Sequence, residues 1–213
     1  MSDRLPLPPD DLAEWDLPIV EIPANEARFF RCHRHPGRYP ATAYNVAAIP
    51  DRFNSLDGEY GVLYLGFEPE VAFIETFGSA LVGTPPVLRA VTSTTLAQRC
   101  LCDVTMTSGS APLRLVDLAT GRGTSRLSAD GRISTSKDHE ATRAWAHALW
   151  SHPAQIHGIR YRACNDLDRM AAVIFDRTGD VFRSGCDRQN LLRDPEILAQ
   201  LLDHYAIGLI IDD

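Results

Sequence analysis

Glu75 closes the tetrapeptide Ala72-Phe73-Ile74-Glu75, in one of the most apolar parts of the chain. On packing grounds alone Leu or Ala belongs there. A buried carboxylate is costly unless it is paired or hydrogen-bonded, so its position points to chemistry, with a helix-edge glutamate reaching solvent as the alternative. Arg31 raises a similar question within Arg28–Arg34, RFFRCHR. Phe29 and Phe30 can anchor that segment in a core, and a guanidinium fork on a core strand suits a pyrophosphate; a surface ion pair is the competing reading. Arg52-Phe53-Asn54 adds a second arginine and an amide beside an aromatic ring. Tyr64 sits in the middle of an apolar run, where its ring can stack on a flat heterocycle or simply fill a core with its hydroxyl satisfied.

Common catalytic signatures are absent: there is no GxSxG elbow, Walker A loop, HExxH or GxGxxG in the sequence. Gly121-Arg122-Gly123 is too short a fragment to count. Cys32, His33 and His35 cluster, but no second group completes a ligand set, so no metal is expected.

The elements that must hold these residues are readable in outline. Val62–Phe67 is a short apolar run after a glycine-containing turn, which predicts a buried strand. Pro69 suits the first turn of a helix, flanked by Glu68 and Glu70 at its positive end, with Val71, Ile74 and Phe77 as its buried stripe and Gly78 near its end. Segments 87–96, 113–118, 156–161 and 171–175 read as further strands, and Gly208–Ile211 as a closing one. Gly121–Lys137, rich in Gly, Ser, Thr and Arg, reads as a loop. Asp138–Trp150 has a helical stripe of Ala141, Trp145, Ala148 and Leu149. Asp194-Pro195-Glu196 opens another helix with a capping acid and a first-position proline. Its apolar face suits core packing better than a dimer seam, although a homo-oligomer stays open. Strands and helices mix without a βαβ rhythm, which predicts an α+β fold.

The 213 residues suit one domain over 26–213 preceded by an arm over 1–25, which is proline-rich and acidic. A net charge of -7 gives no footprint for general nucleic-acid binding. Five cysteines without a CxxC pair predict reduced thiols. No apolar run approaches the ~20 residues of a membrane span, and the N-terminus lacks the pattern of a signal peptide. A cytoplasmic protein is expected.

Taken in order, these residues resemble the RES-domain family, named for an arginine, a glutamate and a serine. Arg31 matches the arginine of its first core strand, and Asp51-Arg52-Phe53-Asn54 its GRWN-like turn. Val62-Leu63-Tyr64-Leu65-Gly66 matches its YLA-like strand, and Ala72–Glu75 its A-x-x-E helix. Leu115–Leu118, Thr142–Ala146, Gly158–Ala163 and Ala171–Phe175 match later elements, so that the likeness spans roughly residues 26–180. The turn departs from the pattern at Asp51 and Phe53. Ala163 stands where the serine aligns, and Ser125, Ser128 and Ser136 are the nearby hydroxyls that can replace it.

The resemblance implies an ADP-ribosyltransferase-like split β core with flanking helices and NAD+ as substrate. It further implies a toxin whose antitoxin is a small helical DNA-binding protein covering the cleft. Glu75 is then expected to stabilise the cation formed when the nicotinamide–ribose bond breaks. Arg31 is expected at the pyrophosphate or ribose, Tyr64 against nicotinamide, Arg52 as support or at an acceptor phosphate, and Asn54 as their hydrogen-bonding partner. Water, inorganic phosphate or a protein side chain are open as acceptors. Protein ADP-ribosylation and a catalytically impaired binding module are the competing functions, the second favoured by Ala163.

Overall fold

Residues 4–34, 39–46, 51–185 and 190–212 are described by a computed structural model. Along the chain, the strands are β1 (Ile19–Ile22), β2 (Arg28–Arg34), β3 (Val62–Gly66), β4 (Ala90–Thr92), β5 (Arg99–Met106), β6 (Leu113–Asp117), β7 (Gly158–Ala163), β8 (Asp166–Phe175), β9 (Phe182–Ser184) and β10 (Gly208–Ile210). The helices are α1 (Pro69–Phe77), α2 (Ser93–Ala97), α3 (Gly121–Arg126), α4 (His139–Trp150) and α5 (Pro195–His204). An eight-stranded sheet runs β1-β6-β7-β8-β3-β2-β5-β9, and β10 pairs with β4 in a separate two-stranded ribbon. Only β6–β7 within the large sheet is parallel.

The apolar run that predicts β3 has a simple cause: both faces of that strand are covered. Leu63 and Leu65 enter one core with Phe29, Ala172 and Ile174. Val62 enters another with Trp145, Leu149, Val173 and Phe175, and Tyr64 packs at its edge. Each such buried aliphatic contributes roughly 1.5–3 kcal/mol of transfer free energy. A third core joins α1, α2 and α5 through Phe73, Phe77, Leu96, Leu198 and Leu201. The expected starts of α1 and α5 hold: Pro69 and Pro195 open them, and Asp194 accepts a hydrogen bond from the Ile197 N–H.

Four readings change. Segment 87–96 is not one strand: Pro86–Leu88 forms a 3-10 turn, β4 follows, and the Thr92 hydroxyl then caps α2 by accepting from the Thr95 N–H. Gly121–Lys137 is not a plain loop. Thr120 caps α3 and Asp130 caps a second short turn, Gly131–Ser134, so capping side chains override a composition that reads as irregular. β5 was not anticipated, although Cys100, Cys102, Val104 and Met106 alternate cleanly along it. Finally, the thiols are not all reduced: Cys102 is disulfide-bonded, while Cys32, Cys100 and Cys164 are free. The N-terminal segment contributes β1, antiparallel to β6, and buries Leu5 and Leu12 against the core of α4, where the Trp145 indole donates to the Pro6 carbonyl at 2.8 Å.

Candidate active site

β2 and β3 share one paired position, Phe30 with Gly66. Beyond it β2 continues along β5 while β3 continues along β8. At this split lies a cavity of about 810 Å3, lined from β2 by Arg31 and from β3 by Tyr64. Glu75 enters from α1, Arg52 from the turn before β3, Tyr161 from β7, and Ser136 and Lys137 from the segment before α4. Four of the five expected site residues therefore share one cavity. Asn54 does not line it; it is 1% exposed and lies behind Tyr64.

Glu75 is held by where α1 starts. A Cβ on Gly66 would lie 2.9 Å from Ala72 N, Glu68 O and Val71 Cβ, so only glycine lets the first turn of α1 pack this close to the end of β3. Arg169 on β8 pins the same turn through an ion pair with Glu68, and reaches Asp166 at 3.1 Å. One turn further, Glu75 Oε1 accepts the Asn165 backbone N–H at 3.2 Å.

The turn bearing Arg52 is clamped from two sides. The Tyr64 hydroxyl donates to Asn54 Oδ1 at 2.9 Å and accepts the Phe53 N–H at 2.9 Å. Arg143 on α4 donates to the carbonyls of Ser55 and Leu56 at 2.6 and 2.7 Å. Arg52 itself donates to the Ser134 carbonyl at 2.7 Å and lies 5.7 Å from the centre of the Tyr161 ring. Its shielded Nε has no acceptor among the described residues. Burial works against the charge on Arg52, but the fields of Tyr161, Cys164 and Glu75 outweigh it and hold its pKa above the ordinary value. Burial pushes the Tyr64 hydroxyl well above the usual range, so it stays a neutral hydrogen-bonding group.

Arg31 is less available than its sequence context suggests. Its Nη1 donates to the carbonyls of Ala41 and Ala43 at 2.6 and 2.9 Å. Burial lowers its pKa to about 10, which leaves it cationic at neutral pH. Among the serines, Ser125 and Ser128 are exposed and away from the cavity, whereas Ser136 lines it; Ala163 is fully buried. Sequence reasoning missed Tyr161 and Lys137 as cavity residues. Tyr161 lies within Gly158–Ala163, which is matched only as a strand, and Lys137 closes a segment read as loop.

A large sheet split around a polar cavity, with helices on its flanks, makes this an α+β fold. A model of the RES domain matches residues 28–194, and the chain belongs to that family. Among solved structures, the M. tuberculosis MbcT–MbcA toxin–antitoxin complex contains a chain of similar fold. The TM-score is 0.58 at 13% identity, over 90% of this chain and 98% of that one. No curated protein sequence matches the chain.

Proposed function

We propose that this protein is a toxin of a toxin–antitoxin pair that consumes NAD+ by breaking its nicotinamide–ribose bond. The observation that carries the reading is the meeting of the Arg52 guanidinium and the Glu75 carboxylate in one cavity, each fixed by backbone partners. An unsatisfied, shielded Nε on Arg52 suits an oxygen-rich ligand. Family resemblance supplies the identity of that ligand.

The chemistry fits the residues. As the bond breaks, its electron pair leaves with the nicotinamide nitrogen and neutralises the pyridinium, while the ribose carbon becomes an oxocarbenium-like centre. Glu75 stabilises that positive charge and holds a ribose hydroxyl. Arg52, and Arg31 through the donors it does not spend on Ala41 and Ala43, neutralise pyrophosphate oxygens. Tyr64 and Tyr161 offer ring faces to flat groups. Water or inorganic phosphate then adds to the ribose, giving a glycohydrolase or a phosphorylase; no metal enters this step. Ser136 supplies the hydroxyl for which Ala163 has no atom. The antitoxin, a small helical DNA-binding protein on the family resemblance, seats a segment over the cavity mouth, where Val82 is 65% exposed.

The purified protein, free of partner, is incubated with NAD+ with and without phosphate, and the products are read by mass spectrometry. Release of nicotinamide is the expected result. ADP-ribose marks hydrolysis, and ADP-ribose phosphate marks phosphorolysis. Intact NAD+ under both conditions overturns the reading.

A further inference from the structure

On the β2–β5 ladder, His33 stands directly opposite Cys100, and Arg31 opposite Cys102. Paired residues share a face, and Cys100 and Cys102 lie two apart on β5, so His33, Cys100 and Cys102 all project to one side. Their ligand atoms lie within 4.8 Å of one another. The Cys100 and Cys102 sulfurs are 3.8 Å apart, and His33 Nε2 is 3.0 Å from Cys100 Sγ. Zinc–sulfur bonds of about 2.3 Å at a tetrahedral angle place two sulfurs about 3.8 Å apart. The sulfur spacing already has that value.

We propose that His33, Cys100 and Cys102 form a zinc site, distinct from the NAD+ cavity, that is opened by reduction of the Cys102 disulfide. None of the three residues lines that cavity. In the first step a dithiol reductant gives two electrons and two protons to the disulfide and is itself oxidised to a disulfide. Zn2+ then binds the Cys100 and Cys102 sulfurs as thiolates, releasing two protons, with neutral His33 as third ligand and water as the fourth. Two thiolates and one Zn2+ sum to zero charge, which suits two cysteines that are each 1% exposed. Half-buried His33 marks the side from which the ion enters.

The position gives the metal a structural purpose. Ala41 packs on Cys100 and Cys102, and its carbonyl accepts from Arg31. An ion bridging β2 and β5 there stiffens the seat of Arg31 from beneath. The sequence-adjacent Cys32 does not belong to this set. Cys32 points to the opposite face with Leu101, toward the core of α1, and His35 lies outside the described residues.

The full chain, reduced with a phosphine and freed of metal, is titrated with Co2+ alone. A thiolate-to-cobalt charge-transfer band saturating at one ion per chain, together with tetrahedral visible bands, is expected, and Zn2+ displaces both. Cys100→Ser and Cys102→Ser each weaken or abolish the band, Cys32→Ser leaves it unchanged, and the unreduced chain gives none. Absence of the band in reduced protein, or its persistence in Cys100→Ser, overturns the proposal. Should the serine variants fail to fold, zinc X-ray absorption on the wild-type chain decides: a sulfur shell at about 2.3 Å is expected, and a shell of oxygen and nitrogen alone overturns it.

Discussion

The Tyr64 hydroxyl hydrogen-bonds Asn54 Oδ1 at 2.9 Å, so the residue expected to face the substrate also ties the Arg52 turn to the central strand. With the Phe53 N–H on the same oxygen, the contact is a three-way knot behind the cavity. Tyr64→Phe keeps the ring and removes the knot. Two buried groups then lose their partner, at a cost of about 2 kcal/mol. Thermal unfolding is expected at a midpoint lower by several degrees, with NAD+ turnover reduced as Arg52 drifts. In a double-mutant cycle Asn54→Ala adds little to Tyr64→Phe, because both cut the same link. Additive losses would show that the two residues act separately.

Glu75→Gln separates charge from shape. The amide oxygen still accepts the Asn165 N–H, so the fold and the unfolding midpoint are expected to stay close to wild type. A carboxylate that stabilises a developing cation is worth roughly 10²–10³ in rate. NAD+ turnover is therefore expected to fall by about that factor, with little change in KM. Turnover at the wild-type rate removes Glu75 from the reaction.

Arg31→Lys tests whether this residue serves the ligand or only the backbone. An ammonium carries three donors, enough for the Ala41 and Ala43 carbonyls, but no planar fork for a pyrophosphate. Stability is expected to hold while KM for NAD+ rises by about tenfold, the loss of one good charged hydrogen bond. An unchanged KM assigns Arg31 to the backbone alone.

Much of this was legible in the sequence, and the exceptions have physical causes. β3, α1, α4 and α5 announce themselves because a doubly covered strand is continuously apolar and because proline and aspartate mark helix starts. Glu75 was legible as an acid out of place. Asn54 was expected as a hydrogen-bonding partner of the site residues, but a chain cannot show that Tyr64, ten positions later, is the residue that takes its side chain. The Ser134 carbonyl that holds Arg52 lies 82 positions away, in a segment whose turns depend on single capping side chains. The His33–Cys100 pairing exists only in the register of two strands, one of them unanticipated because its alternation ran through cysteines and an aspartate.

Asp117, at the end of β6, gives the segment before α4 its footing. Its carboxylate takes the Arg160 guanidinium at 3.0 Å, the Thr120 hydroxyl at 2.7 Å and the Ala119 N–H at 3.0 Å. Burial opposes its charge, but these donors outweigh the burial and bring its pKa below the ordinary 3.8. A depressed carboxylate binds its proton less readily folded than unfolded. Its contribution is thus fully present above pH 3.8 and is lost as pH falls through the folded value. In Asp117→Asn that contribution is missing at every pH. The unfolding midpoint of the variant is expected to lie below wild type at neutral pH, with the gap closing as pH drops beneath 3.8. Asp117 also accepts the hydroxyl of Thr120, the residue that caps α3, so weakening this site is expected to loosen the chain leading to Ser136 and Lys137. NAD+ turnover at neutral pH is expected to fall by a smaller factor than in Glu75→Gln. A midpoint gap that stays constant through the acid range would show that Asp117 acts by shape and not by charge.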